Sequence, residues 1–138
     1  MLQSIRQFLA RKSGSGATGP EVILDVLFDD GLLFLAVRNI GAFPAFNVSI
    51  AFDQPIYGLE GEREVSALPL FRNIAFLAPG REIRTFLDTA VSYFQRKQPA
   101  QITAKVVFQD GDGRYATRII RHDLEIYREI GYIRRTTD

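Results

Sequence analysis

A chain of 138 residues is sized for one domain with one core and needs no covalent staples to hold it. Its net charge of +1, with 46% hydrophobic and 24% charged residues, excludes a disordered chain and an overall electrostatic footprint for nucleic acid. The absence of cysteine excludes disulfides, thiolate zinc sites and cysteine nucleophiles.

The first segment, residues 1–12 (MLQSIRQFLARK), places Leu2, Ile5 and Leu9 on one helical face with Phe8 at its margin. Arg6, Arg11 and Lys12 add three positive charges that no acid offsets, so the segment is predicted to be a short basic amphipathic helix. Residues 13–20, SGSGATGP, form a flexible polar linker closing on a proline.

From residue 21 the pattern is that of strands. In EVILDVLF the residues Val22, Leu24, Val26 and Phe28 alternate with Ile23, Asp25 and Leu27. Asp29, Asp30 and Gly31 then supply a tight hairpin turn. LLFLAVRN is apolar on both faces, which suits a central strand. A break at Asn39, Gly41 and Pro44 reads as a passage between strands of different sheets, with Ala45 and Val48 returning to the core. Residues 54–70 read as irregular, with an acidic rim at Glu60, Glu62 and Glu64. NIAFL and EIRTFLD are short strands joined by the Pro-Gly turn of APGR. In QITAKVVF the residues Ile102, Ala104, Val106 and Phe108 share a face. DGDG at 110–113 turns the chain into RYATRIIRHDL, and residues 125–138 form a tail or a short helix. About seven strands with turn signals every 8–12 residues predict an all-β fold, an antiparallel β-sandwich over residues 21–124.

The stretch VRNIGAFPAFNVSIAF, with LAPGREIRTFL and ITAKVVFQDGDGRYATRIIRHDL, resembles the immunoglobulin-like accessory modules of bacterial proteins, among them the cell-adhesion-related and NEW3-type domains. The pattern of those modules is a strand ending Asn-x-Gly, a small residue before Asn/Asp-Val, a later Pro-Gly before a charged alternating strand, and a final hairpin through Asp-x-x-Gly. The resemblance spans residues 21–124 and implies an immunoglobulin-like sandwich that presents surfaces or spaces other domains. The basic helix and the lack of an attached catalytic domain depart from the usual setting of such modules.

Chemistry-bearing residues are sparse. Asp110 and Asp112 offer oxygen ligands two residues apart but lack the further oxygens and closing glutamate of a calcium loop, so a turn accounts for them. His122, the sole histidine, adjoins Asp123, but strand neighbours point to opposite faces, and local hydrogen bonding is expected of it. Arg114, Arg118 and Arg121, with Arg128, Arg134 and Arg135 and interleaved Tyr115, Tyr127 and Tyr132, make the C-terminal part basic. Asp123, Glu125, Glu129 and Asp138 offset that charge, which favours a solvated face or a protein-facing rim over a nucleic-acid groove. No cofactor and no metal ligands are expected, and the chain reads as a non-enzyme.

Partner-binding candidates are the apolar helix face (Leu2, Ile5, Phe8, Leu9) and Phe43 and Phe46, which flank Pro44 in a loop where contact and core burial are both open. The leading expectation is a protein-interaction or scaffold module, with a protein partner or a homo-oligomer. The alternative is peripheral membrane association, with Arg6, Arg11 and Lys12 facing anionic lipid. No apolar run approaches the ~18 residues of a membrane span, and the N-terminus lacks a secretory h-region, so a cytoplasmic location is expected.

Overall fold

The computed structural model describes residues 19–128 and Ile130. The helix expected over residues 1–12, with Leu2, Ile5, Arg6, Phe8, Leu9, Arg11 and Lys12, lies outside the described residues, as does most of the 13–20 linker.

Strand β1 (Val22–Asp29) pairs antiparallel with β2 (Leu32–Asn39) through the two-residue turn Asp30–Gly31. Both turn residues have positive φ, 52° and 82°, the geometry whose twist matches that of the flanking strands. β2 is central, flanked by β1 and by β7 (Glu82–Thr89). That position explains its apolar reading on both faces: Leu33, Leu35 and Val37 point into the core while Phe34 meets Phe86 edge to face on the outside.

β3 (Ala45–Phe52) opens the second sheet, whose order is β6-β3-β8-β9, with β6 at Ile74–Leu77, β8 at Gln101–Gln109 and β9 at Tyr115–Asp123. All pairings in both sheets are antiparallel. The two sheets share one core, to which β1, β2 and β7 bring Leu24, Leu35 and Leu87, and β3, β6 and β8 bring Val48, Leu77 and Phe108. The result is a β-sandwich-like, all-β fold. NIAFL and EIRTFLD are strands as expected (β6 and β7), but the Pro-Gly turn between them carries the chain from one sheet to the other and does not form a hairpin.

The stretch 54–70 is more ordered than its sequence suggests. A two-residue ribbon, β4 (Tyr57–Gly58) with β5 (Arg63–Glu64), leads to a 3-10 turn at Val65–Ala67 and a one-turn helix α1 (Pro69–Arg72). Ile56, Val65 and Phe71 from this excursion are fully buried, roughly 5–9 kcal/mol of apolar burial that anchors it on the core. Helix α2 (Ala90–Gln95), not anticipated from the sequence, is capped by Thr89, whose Oγ1 accepts from the Ser92 amide at 3.0 Å. It buries Tyr93, whose hydroxyl donates to the Pro99 carbonyl at 2.6 Å. Arg96, just past α2, is ion-paired with the buried Asp88 and also donates to the Tyr57 carbonyl, so one guanidinium ties α2 to β7 and β4. A 3-10 turn at Leu124–Tyr127 follows β9.

Candidate partner-binding surface

The passage from β2 to β3 is built around one side chain. Asn39 is 1% exposed, and all of its side-chain bonds go to backbone. Its Oδ1 accepts from the amides of Glu21 (3.2 Å) and Gly41 (3.0 Å), and its Nδ2 donates to the carbonyls of Phe43 (2.9 Å) and Leu77 (3.1 Å). One buried amide therefore ties together the start of β1, the 40–44 loop and the end of β6. Gly41 is required by close approach: a Cβ there would lie 2.5 Å from the Glu21 nitrogen and 2.6 Å from the Gly19 oxygen. Asn39 bends the chain by side-chain bonding and not by an unusual backbone of its own.

This packing turns the loop's apolar side chains outward. Ile40 is 53% exposed and Phe43 is 48% exposed. Phe46, expected in the loop beside Phe43, is instead the second residue of β3, on the outer face of the sheet. Ala45 and Val48 both point inward because Asn47 adopts φ 51° and forms a bulge, which shifts the strand's alternation by one. Phe46 is half-buried against its cross-strand partner Phe76, with ring centroids 5.5 Å apart at 69°. Phe76 itself is 56% exposed.

The same row continues across the sheet, since Phe46 pairs with Gln109 and Gln109 with Tyr115, which is 70% exposed. Gln109 is held flat between the Asn47 amide (2.6 Å) and the Gly113 carbonyl (3.1 Å). Phe76, Phe46, Gln109 and Tyr115 thus span four strands, about 14 Å at three inter-strand spacings. Ile40 and Phe43 extend this apolar strip over the end of the sandwich. Phe43 was anticipated; Ile40, Phe76 and Tyr115 were not, because their convergence depends on register and on the Asn47 bulge.

The other anticipated groups have structural partners. Asp110 caps its own hairpin: its Oδ1 accepts from the amides of Asp112 and Arg114, both at 2.9 Å. His122 and Asp123 diverge as expected, but His122 does not bond locally; its Nε2 lies 2.8 Å from the Leu24 carbonyl on β1. Arg118 points to the same side and holds Glu21 through Nε (2.6 Å) and Nη2 (2.8 Å), a hydrogen-bonded pairing that raises the guanidinium pKa above its ordinary value. The Arg118–His122 row is therefore not a solvated face: it fastens β9 to β1, aided by the Tyr127 hydroxyl on the Val26 carbonyl at 3.3 Å. Burial raises the Tyr127 pKa, with the Asp25 charge adding to the rise.

A shallow groove of about 310 Å³ on the outer face of the four-stranded sheet is lined by Ser49, Ser66, Arg72 and Lys105, with no carboxylate in its wall. Among the described residues no cluster of three or more His, Asp or Glu is placed to hold a metal ion, and no helix is long and apolar enough to cross a membrane.

A family model described as Domain of unknown function (DUF8453) matches residues 1–128 of the 138, and the chain belongs to that family. No curated protein and no solved structure matches it.

Proposed function

We propose that the chain, taken as a member of that family, is a non-enzymatic protein-interaction or scaffold module of immunoglobulin-like architecture. The order β1-β2-β7 facing β6-β3-β8-β9 supports that architecture, with β6 beside β3 where a constant-type immunoglobulin domain sets its fourth strand in the other sheet. The resemblance of residues 21–124 to bacterial accessory modules points the same way. The observation that carries the functional reading is the aromatic end of the sandwich, where Phe43, Phe76 and Tyr115 stand exposed on a rigid frame pinned by Asn39. Rigid, solvent-facing aromatics are what partner anchoring uses.

The test compares full-length chain with the Phe43→Ser/Phe76→Ser double variant in a pull-down from the cells that express it naturally. A protein retained by the first and lost by the second, at unchanged circular dichroism, supports the reading. Equal recovery by both overturns it.

A second reading, a peripheral membrane protein held by Leu2, Ile5, Phe8 and Leu9 with Arg6, Arg11 and Lys12, draws support from the placement of Gly19–Glu21 against Gly41, at that same aromatic end. Salt-sensitive co-sedimentation with anionic liposomes, abolished by Arg6→Glu/Arg11→Glu/Lys12→Glu and unaffected by the phenylalanine changes, would favour it.

A further inference from the structure

The two sheets have four edge strands, and three are shortened or have backbone groups on the open side already taken. On β1 the residues facing outward offer the Leu24 and Val26 carbonyls, taken by His122 and Tyr127, and the Val26 amide, which donates to Asp25 Oδ1 at 2.9 Å. On β7 the Leu87 carbonyl accepts from the Leu59 amide at 2.9 Å, and Glu82 and Arg84 put a salt bridge along the rest of the strand. β6 is four residues long, and its last carbonyl is held by Asn39. Short, charged or covered edges are how sheets avoid pairing with other chains.

β9 differs. It runs for nine residues, and its hydrogen-bonding direction follows from its two ends: the Asp110 amide bonds the Arg114 carbonyl at 2.9 Å, and the Leu124 amide bonds the Ala100 carbonyl at 2.7 Å. With the observed register, Ala116, Arg118, Ile120 and His122 bond to β8, and Tyr115, Thr117, Ile119 and Arg121 turn their amides and carbonyls to the open edge. Among the described residues, the Thr117 carbonyl alone of these groups has a partner, Arg118 Nη1 at 3.0 Å. That guanidinium keeps Glu21 through its other nitrogens when the Thr117 bond is released.

We propose that this edge binds a second copy of the chain: two β9 strands pair antiparallel about a two-fold axis at Ile119, joining two four-stranded sheets into one of eight. The strand is self-complementary in that register. Ile119, 52% exposed, is the midpoint of Tyr115–Asp123, so the whole strand overlaps its copy. On the outer face Ile119 meets Ile119, Thr117 faces Arg121, and Tyr115 faces Asp123. On the inner face Arg118 faces Ile120 and Ala116 faces His122. No like charges meet, whereas an axis at Arg121 or Arg118 would oppose two guanidiniums. The outward groups of Tyr115, Thr117, Ile119 and Arg121, with the Asp123 amide, supply about eight backbone hydrogen bonds across the axis. This interface lies along the side of the sheet and shares only Tyr115 with the aromatic end, so changes at Phe43 and Phe76 separate the two.

The absence of native cysteine gives a clean test on the full chain. Ile119→Cys should be joined into a dimer by a short bis-maleimide, since residues paired across an antiparallel ladder sit about 5.5 Å apart at Cα. Val91→Cys, exposed on α2, is the control and should remain monomeric. Sedimentation equilibrium should show a dimer that Thr117→Pro weakens at least about tenfold, at unchanged circular dichroism, because that amide faces away from β8. Should the proline variant fail to fold, Ile119→Lys, which sets two ammoniums face to face, should weaken the dimer likewise. A monomeric wild-type chain at millimolar concentration overturns the proposal. So does a dimer indifferent to Ile119→Lys, or Ile119→Cys cross-linking no faster than the Val91→Cys control. Retention of the dimer by the Phe43→Ser/Phe76→Ser variant is expected, and its loss would instead place the interface at the aromatic end.

Discussion

Replacing Asn39 with alanine removes partners from four backbone groups at once: the amides of Glu21 and Gly41 and the carbonyls of Phe43 and Leu77. The Leu77 carbonyl is in a buried bond, and leaving it unsatisfied costs about 1–3 kcal/mol. The other three bonds are only part-buried, so water can replace some of each, at roughly 0.5–1 kcal/mol apiece. The sum is about 2.5–6 kcal/mol, a large share of the 5–15 kcal/mol that holds an ordinary domain together. With a urea m-value near 2 kcal/mol/M, the unfolding midpoint should fall by about 2 M. Asn39→Asp divides the effect. Its oxygens still accept from Glu21 and Gly41, but a carboxylate oxygen now faces the Phe43 and Leu77 carbonyls, so it should destabilise the chain through the donor side alone. The assay is equilibrium urea unfolding followed by circular dichroism, with partner capture measured in parallel. An Asn39→Ala midpoint within about 0.3 M of wild type would refute the argument that this amide pins the loop.

Arg96→Ala should leave the Asp88 carboxylate buried without its cation and destabilise the chain by about 3–5 kcal/mol. The Arg96→Leu/Asp88→Asn double variant should lose markedly less, and equal losses in a denaturant series would show that the pair does not act as a unit. Alkaline pH should weaken the fold through two tyrosines. Burial raises the phenol pKa values of Tyr93 and Tyr127 in the folded chain above the unfolded value near 10. A raised group favours its protonated form, so its contribution is complete below about pH 10 and is lost as pH climbs toward the folded value. The urea midpoint should therefore fall as pH rises above about 10, less steeply in Tyr127→Phe; identical slopes would sink the assignment.

Much of this architecture was legible because it rests on local rules. The Asp30–Gly31 turn, the two-sided apolar character of β2 and the alternation of Ile102, Ala104, Val106 and Phe108 each follow from short-range pattern and appear in place. What escaped depends on distant contacts. The position of Phe46 turned on Asn47 adopting positive φ, a choice stabilised by the bond to Gln109 more than sixty residues away. The row of Arg118 and His122 looked like a charged outer face, because nothing local says that its neighbours are the Glu21 carboxylate and the Leu24 carbonyl. Helix α2 left a trace in the Thr89–Ser92 cap spacing, too short a signal beside the strands around it. The aromatic end joins residues from four strands and a loop, and only the fold assembles it.

β1 and β9 both start at the aromatic end and run the same way in facing sheets, so the chain leads into the sandwich at one pole and leaves it at the other. Tension applied between Gly19 and Arg128 therefore acts along both strands. The Glu21–Arg118 pair, the His122–Leu24 contact and the Tyr127–Val26 bond would be strained together in shear, as would the whole β1–β2 ladder. Rupture in that direction must break these links at once and not one after another. The side-chain fastening of β1 to β9 thus makes the sandwich a mechanical link as well as a folded unit.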